Sequence, residues 1–398
     1  MESCGRLDAL LQAFPSPSHK LREQCVAHAW DVLYAFESVL TNTRSHRALL
    51  LYRGRRAQLV ADVMQWLLDF GLPLRDHQRR MLVKGLTRLA IRAEVLPSCM
   101  YISQPVEGRQ IIGGSGTVDI LKGSVQGRVV CLKKPRIVSG EYEATREKVV
   151  KWFMREAITW RNYHYSSVLP FEGVMILDGG PFDLGLYLVS PFLGYGTIVQ
   201  YLQKYPRSNR CLLLKDVLQG VKDLHHSEII HGDLKGANIL VNSEGRAVLA
   251  DLGISRLSTA DLTSWTSCQT TNRLGTLKWQ SPEHLRAMYY EDCGIEPTEA
   301  GDIYALGCVA YEIFVGRIPF YEISGWGTFM RQVLEAGRSP TQPKRTEDAY
   351  SKFGLTEDIW RTMEECWARI PDDRPSALDL GRKPFLRRIV DTRPSSKH

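Results

Sequence analysis

The chain has 398 residues, 44% of them hydrophobic and 24% charged, and carries a formal net charge of +7. This is too apolar for a disordered protein, and the length allows about two or three compact units. Nine cysteines scattered singly, with no C-x-x-C pair, exclude a zinc site or disulfide framework. The longest apolar stretches, such as Cys308 to Val315 with Glu312 inside it, fall short of the roughly twenty residues of a membrane span.

Met1-Glu2-Ser3-Cys4-Gly5-Arg6 lacks a basic region followed by an apolar core, which predicts an intracellular, cytoplasmic protein with the nucleus left open. From about Lys20 to Ala93 the pattern is helical, clearest in Leu59, Val63, Trp66 and Leu67 and in Met81, Leu86 and Leu89, with a break at Gly71-Leu72-Pro73. Arg53, Arg55, Arg56, Arg79, Arg80, Lys84, Arg88 and Arg92 gather on these segments. They read as a solvated surface, or as a face that recruits a protein partner, and nothing in them resembles a nucleic-acid module. Pro97 is expected to end the last helix.

From Met100 short strand-like runs follow at Arg109 to Ile112, Val118 to Lys122 and Val129 to Leu132. A helix is expected over Tyr142 to Tyr163, then strands at Gly173 to Leu177 and Gly185 to Ser190, and mostly helix after Gly196. Ile112-Gly113-Gly114-Ser115-Gly116-Thr117-Val118 sits between two strands, where glycines let backbone N–H groups approach phosphates. Alone, such a loop is equally a plain turn.

His231-Gly232-Asp233-Leu234-Lys235-Gly236-Ala237-Asn238 decides the reading. It places an acid, a lysine and an amide carbonyl on one short loop at spacings suited to phosphoryl transfer. Val130-Cys131-Leu132-Lys133, Ala250-Asp251-Leu252-Gly253, Ser281-Pro282-Glu283 and Asp372-Asp373-Arg374-Pro375 stand around it in a fixed order.

Taken together these motifs resemble eukaryotic-type protein kinases over about Arg109 to Ile389. Lys235 two residues after Asp233 is typical of serine/threonine specificity, and Trp279 with the Cys366-Trp367 stretch looks like the tyrosine-kinase-like group. The His-Gly-Asp-Leu-Lys-Gly-Ala-Asn form, with helices ahead of it, is similar to expanded fungal (basidiomycete) kinases of that group. The resemblance implies an α+β, bilobal protein-kinase fold, with a small β-rich N-lobe over about 100–193 and a large α-rich C-lobe over about 194–392. A helical region over 1–99 precedes the kinase domain of 100–392, and a flexible tail over 393–398 follows.

By the same resemblance Asp233 is the catalytic base, Lys235 stabilises the moving phosphoryl group, and Lys133 holds ATP with Glu156 as its partner, Glu147 and Glu143 being rivals. Asn238 and Asp251 would ligate Mg2+. Ile112, Gly113, Gly114, Gly116, Val118, Cys131, Ser190, Phe192, Leu193 and Leu240 would line the nucleotide, with Ser190 as gatekeeper and Pro191 removing a hinge donor. Glu283 would pair with Arg374, and Asp302 would brace the catalytic loop. The substrate is then a protein bearing Ser/Thr hydroxyls.

Four positions depart from the pattern, namely Ile111, Gly232, Leu252 and Ser281, and they motivate an ATP-binding pseudokinase scaffold as the alternative. None removes a catalytic atom. Gly232 replaces an arginine that normally pairs with a phosphorylated activation-segment residue, so its absence implies that the hydroxyls crowded between Ser255 and Thr271 need not be phosphorylated.

Overall fold

A computed structural model describes residues 19–114, 118–136, 142–177, 184–252, 277–291 and 297–394. The chain forms two compact units, one of residues 1–164 with 171–191 and the other of residues 165–170 with 192–398.

The first unit opens with four helices, α1 (His19–Thr41), α2 (Thr43–Leu49), α3 (Gly54–Asp69) and α4 (Asp76–Ala93). Asn42 caps α2 by accepting the Ser45 N–H at 3.0 Å. The buried side of α3 is Ala57, Ala61, Met64, Gln65, Leu67 and Leu68. Leu59 and Val63, two of the residues that carried the sequence periodicity, are instead 55% and 37% exposed. Ala57 and Ala61, both fully buried, stand on the buried side beside Met64, Leu67 and Leu68. α4 stops at Ala93 because Glu94 turns left-handed at φ 52°, and Pro97 opens a single 3-10 turn beyond it.

Five strands follow, β1 (Glu107–Gly114), β2 (Val118–Val125), β3 (Arg128–Pro135), β4 (Gly173–Ile176) and β5 (Leu186–Pro191). They make one antiparallel sheet in the order β1-β2-β3-β5-β4. Alternation of buried and half-buried residues along β2 turns Leu121 and Val125 into a core shared with Val130, Leu132, Met175, Tyr187 and Val189. Between β3 and β4 runs α5 (Tyr142–Asn162), packed against α4.

In the second unit α7 (Arg210–His226), behind α6 (Ile198–Lys204), packs against α9 (Glu299–Val315), whose side chains from Asp302 to Val315 are all buried. The sequence reading of this half as helical missed a two-stranded hairpin, β6 (Ile239–Val241) with β7 (Ala247–Leu249). Three-residue strands are too short to show a period. Before α9 lies α8 (Pro282–Arg286), and after it come five short helices, α10 (Trp326–Met330), α11 (Asp348–Ser351), α12 (Glu357–Cys366), α13 (Ala377–Leu380) and α14 (Pro384–Arg387). Arg393, assigned to the tail, is anchored: it donates to Asp216 at 2.7 and 2.9 Å and to the Gly245 carbonyl at 2.8 Å. No helix among the described residues is long and apolar enough to cross a membrane.

Candidate active site

Lys133 and Glu156 meet in the first unit. β3 carries Lys133 between Ile120 of β2 and Leu188 of β5 in the register of the sheet. Its Nζ lies 2.9 Å from a Glu156 carboxylate oxygen, with the two side chains 12% and 0% exposed. A carboxylate this deeply buried is tenable only beside such a cation. Glu147 is excluded as the partner: it is 68% exposed and pairs with Lys151 at 2.7 Å along the helix. The Glu143 side chain lies outside the described residues.

Trp152, one helical turn before Glu156, places its ring 4.9 Å from Lys133 Nζ. Sequence reasoning missed it, although residues four apart on a helix share a face. Cys131 faces Ser190 across β3 and β5, and Ser190 is 3% exposed. Burial pushes the Cys131 thiol up, against a hydrogen bond to Ser190.

At the other end of the sheet, Ile112, Gly113 and Gly114 are exposed on β1, whose pairing with β2 slips between Ile111 and Gly113. Gly114 sits at φ 150°, and a Cβ there would run into the Val118 carbonyl, so that position admits only glycine. Val118 begins β2, paired with Pro135. Gly116 lies outside the described residues.

The second unit holds the loop of Asp233, Lys235 and Asn238. Asp233 Oδ2 accepts from Lys235 Nζ at 2.6 Å and from Asn238 Nδ2 at 2.9 Å. Asn238 Nδ2 also donates to the Asp233 carbonyl at 2.8 Å, which turns its own amide oxygen away as an acceptor. Asp233 Oδ1 is buried and without a hydrogen-bond partner among the described residues. One oxygen of this carboxylate is fixed and the other can take a proton.

The loop's shape comes from Asp302 on α9, 2% exposed. Its oxygens accept the N–H of His231 at 2.7 Å, the N–H of Gly232 at 2.8 Å and Nε2 of His225 at 2.9 Å. Gly232 stands at φ 77°, a left-handed conformation that costs other residues about 1–2 kcal/mol. His231 Nδ1 accepts the Asp233 N–H at 3.3 Å, so its Nε2 donates to the Ala250 carbonyl at 3.0 Å. Ala250 N–H returns to the Asn238 carbonyl at 2.9 Å. Asp251 follows directly, itself left-handed at φ 67°. Phe192 and Leu193, half-buried, precede α6, and Leu240 pairs with Val248 in the hairpin. The hydroxyls from Ser255 to Thr271 lie outside the described residues.

Glu312 is a further member that the sequence signalled only as an interruption of an apolar run. It is 8% exposed, and its Oε2 accepts the Gly236 N–H and the Trp279 indole N–H, each at 2.8 Å. It thereby joins the loop to the segment before α8. Burial pushes its carboxyl up to about 7, against those two hydrogen bonds and the nearby Lys235. A raised carboxyl contributes stability below its unfolded value of 4.5, and that contribution is lost as pH rises through about 7. Glu312→Gln keeps an oxygen for both donors and removes the buried charge. Thermal unfolding at pH 8 should show the variant more stable than the unmodified chain, and the difference should vanish near pH 4.5; a variant less stable at pH 8 would contradict this account.

A five-stranded antiparallel sheet carrying a paired lysine and glutamate, followed by a helical unit whose loop presents an acid, a lysine and an asparagine, is the architecture of a kinase domain. The protein kinase domain family matches residues 109–386, and the chain belongs to that family. It is similar to mitogen-activated protein kinase kinase kinase A of Dictyostelium discoideum, 25% identical over 285 residues, which cover 70% of this chain and 27% of that protein. Serine/threonine-protein kinase STY17 of Arabidopsis thaliana is 25% identical over 303 residues, 72% of this chain and 47% of that protein. Kinase suppressor of Ras A of Caenorhabditis elegans is 25% identical over 279 residues, 69% and 34%. The chain spans less than half the length of each of these relatives.

Proposed function

We propose that the chain is an active intracellular serine/threonine kinase of the tyrosine-kinase-like group, its kinase domain spanning about 100–392, that transfers the γ-phosphoryl group of ATP to protein hydroxyls. One observation carries this reading: the buried Oδ1 of Asp233, without a hydrogen-bond partner among the described residues, while the other oxygen is held by Lys235 and Asn238. An acceptor fixed in this way suits an incoming Ser or Thr hydroxyl, because its orientation is set before substrate arrives. The serine/threonine kinases among the relatives and the Asp-x-Lys spacing support the choice of substrate, and the His-Gly-Asp-Leu-Lys-Gly-Ala-Asn form supports a likeness to fungal members. The cytoplasm, where ATP is abundant, suits such an enzyme.

The donor sets fit ATP with Mg2+. The Asn238 amide oxygen and the Asp251 carboxylate are hard oxygen donors of the kind magnesium takes. Lys133, held by Glu156, offers an ammonium to phosphate oxygens. Ile112, Gly113, Gly114, Gly116, Val118, Cys131, Ser190, Phe192, Leu193 and Leu240 would line the nucleotide. Bound MgATP supplies the phosphoryl group. Asp233 Oδ1 takes the hydroxyl proton as the substrate oxygen bonds to phosphorus and the bond to the ADP oxygen breaks, and Lys235 offsets the charge on the moving group.

Incubated with MgATP and a generic basic protein, the chain should incorporate phosphate on serine and threonine, and MgATP should raise its melting temperature. A melting shift without incorporation would replace this reading by the scaffold one.

A further inference from the structure

Glu156 depends on where α5 stands, and α5 is gripped from two sides. The helix buries residues nearly all round: Val149, Val150, Phe153, Met154, Glu156, Ala157, Ile158, Trp160 and Asn162 are each no more than 7% exposed. Glu156 and Trp152 point to Lys133. Asn162, six residues on, lies about 240° round the helix at 100° per residue, and Arg161 about 140° round.

Those two residues are held by α3. Asn162 and Gln65, 4% and 0% exposed, exchange amide hydrogen bonds in both directions, Gln65 Nε2 to Asn162 Oδ1 at 2.9 Å and Asn162 Nδ2 to Gln65 Oε1 at 3.1 Å. Arg161 pairs with Asp69 at 2.8 Å, and Asp69 also accepts from Gln65 at 3.1 Å, so the two ties form one network. Toward the other end of α5, Arg146 pairs with Glu94, the residue that ends α4, at 2.9 Å. Residues 146 and 162 are about 24 Å apart at 1.5 Å rise per residue, so the ties lie toward both ends, a buried amide pair at one and a solvent-exposed ion pair at the other. Apolar packing alone tolerates sliding, whereas a buried amide pair is satisfied at one register only.

All three partners, Gln65, Asp69 and Glu94, lie before residue 109, where the family match begins. We propose that α3 and α4 form a built-in clamp on α5, in which Gln65 and Asp69 are positioning residues that hold Glu156 against Lys133. The proposal rests on the kinase reading for its consequence in turnover and on geometry alone for the clamp. A domain whose Lys133 partner is placed from its own N-terminal helices has no need of a partner protein for that step.

The test uses the full chain with Asp69→Arg, Arg161→Asp, the double exchange, and the milder Asp69→Asn. Two quantities are read: hydrogen exchange of the α5 amides against those of α7 and α9, and kcat with KM for a protein substrate. Both charge-reversed single variants should exchange faster in α5 only, and their kcat should fall about tenfold with KM little changed. The double exchange should restore both, and Asp69→Asn should lie between. Unchanged α5 exchange or unchanged kcat in the single variants, or a double no better than either, overturns the clamp. If the unmodified chain transfers no phosphate, the kinase reading fails by itself, and α5 exchange still decides whether the clamp exists.

Discussion

Asp233→Asn should lower phosphoryl transfer by about a thousandfold, within the range expected when a positioned base is removed, while MgATP still raises the melting temperature as it does for the unmodified chain. The asparagine can keep an oxygen toward Lys235 and Asn238, so the fixed side of the loop survives. Its nitrogen then replaces Oδ1, a donor where the hydroxyl needs an acceptor. Asp302, which accepts the backbone N–H groups of His231 and Gly232, keeps the backbone in place. The check is a radiolabel transfer assay beside a nucleotide melting shift. Turnover within tenfold of the unmodified chain would remove Asp233 from the role of base.

Arg374→Ala should have the largest effect on stability, about 3–5 kcal/mol in urea unfolding of the second unit. The Arg374 side chain is fully buried; it donates to both oxygens of Glu283, at 2.7 and 2.8 Å, and to the carbonyls of Ala300 and Ala368, each at 2.9 Å. Removing it strands a carboxylate and two carbonyls at once. Burial pushes the Glu283 carboxyl up, but hydrogen bonds from Arg374 and Ser281 outweigh it and hold the carboxyl below its ordinary 4.5. A lowered carboxyl contributes stability above its unfolded value and loses it as pH falls through the folded one. The gap between variant and unmodified chain should therefore be widest near neutral pH and narrow as pH falls below 4.5, leaving the pH-independent loss at the two carbonyls. A gap that is flat across this range would show that packing, and not the ion pair, dominates.

What could be read from the sequence was what is local. Asp233, Lys235 and Asn238 lie within six positions, so their spacing already contains their geometry. Strand and helix positions in the first unit followed from period, and Glu283 with Arg374 and Asp302 with the loop followed from resemblance. Glu156 could be chosen among three glutamates only by resemblance, because which side of α5 meets β3 depends on packing. The helical period of α3 was legible, but which of its residues are buried was not, since Leu67 is buried while Leu59 and Val63 are exposed. Gln65 and Asn162 are 97 positions apart, and nothing in either neighbourhood announces the other. Glu312 stood in plain view as a charge in an apolar run, and its meaning lay in Gly236 and Trp279, 76 and 33 positions away.

The left-handed backbone of Gly232 bears on how this chain could change over generations. Glycine occupies that conformation without steric cost, and Asp302 needs only to receive its N–H. An arginine arriving there by a single codon change would bring a cation and also a Cβ that the φ of 77° does not welcome. Such a substitution would meet the backbone penalty of about 1–2 kcal/mol whatever its charge could pair with. A side chain at this position is thus weighed first by the backbone it must adopt and only afterwards by the charge it brings.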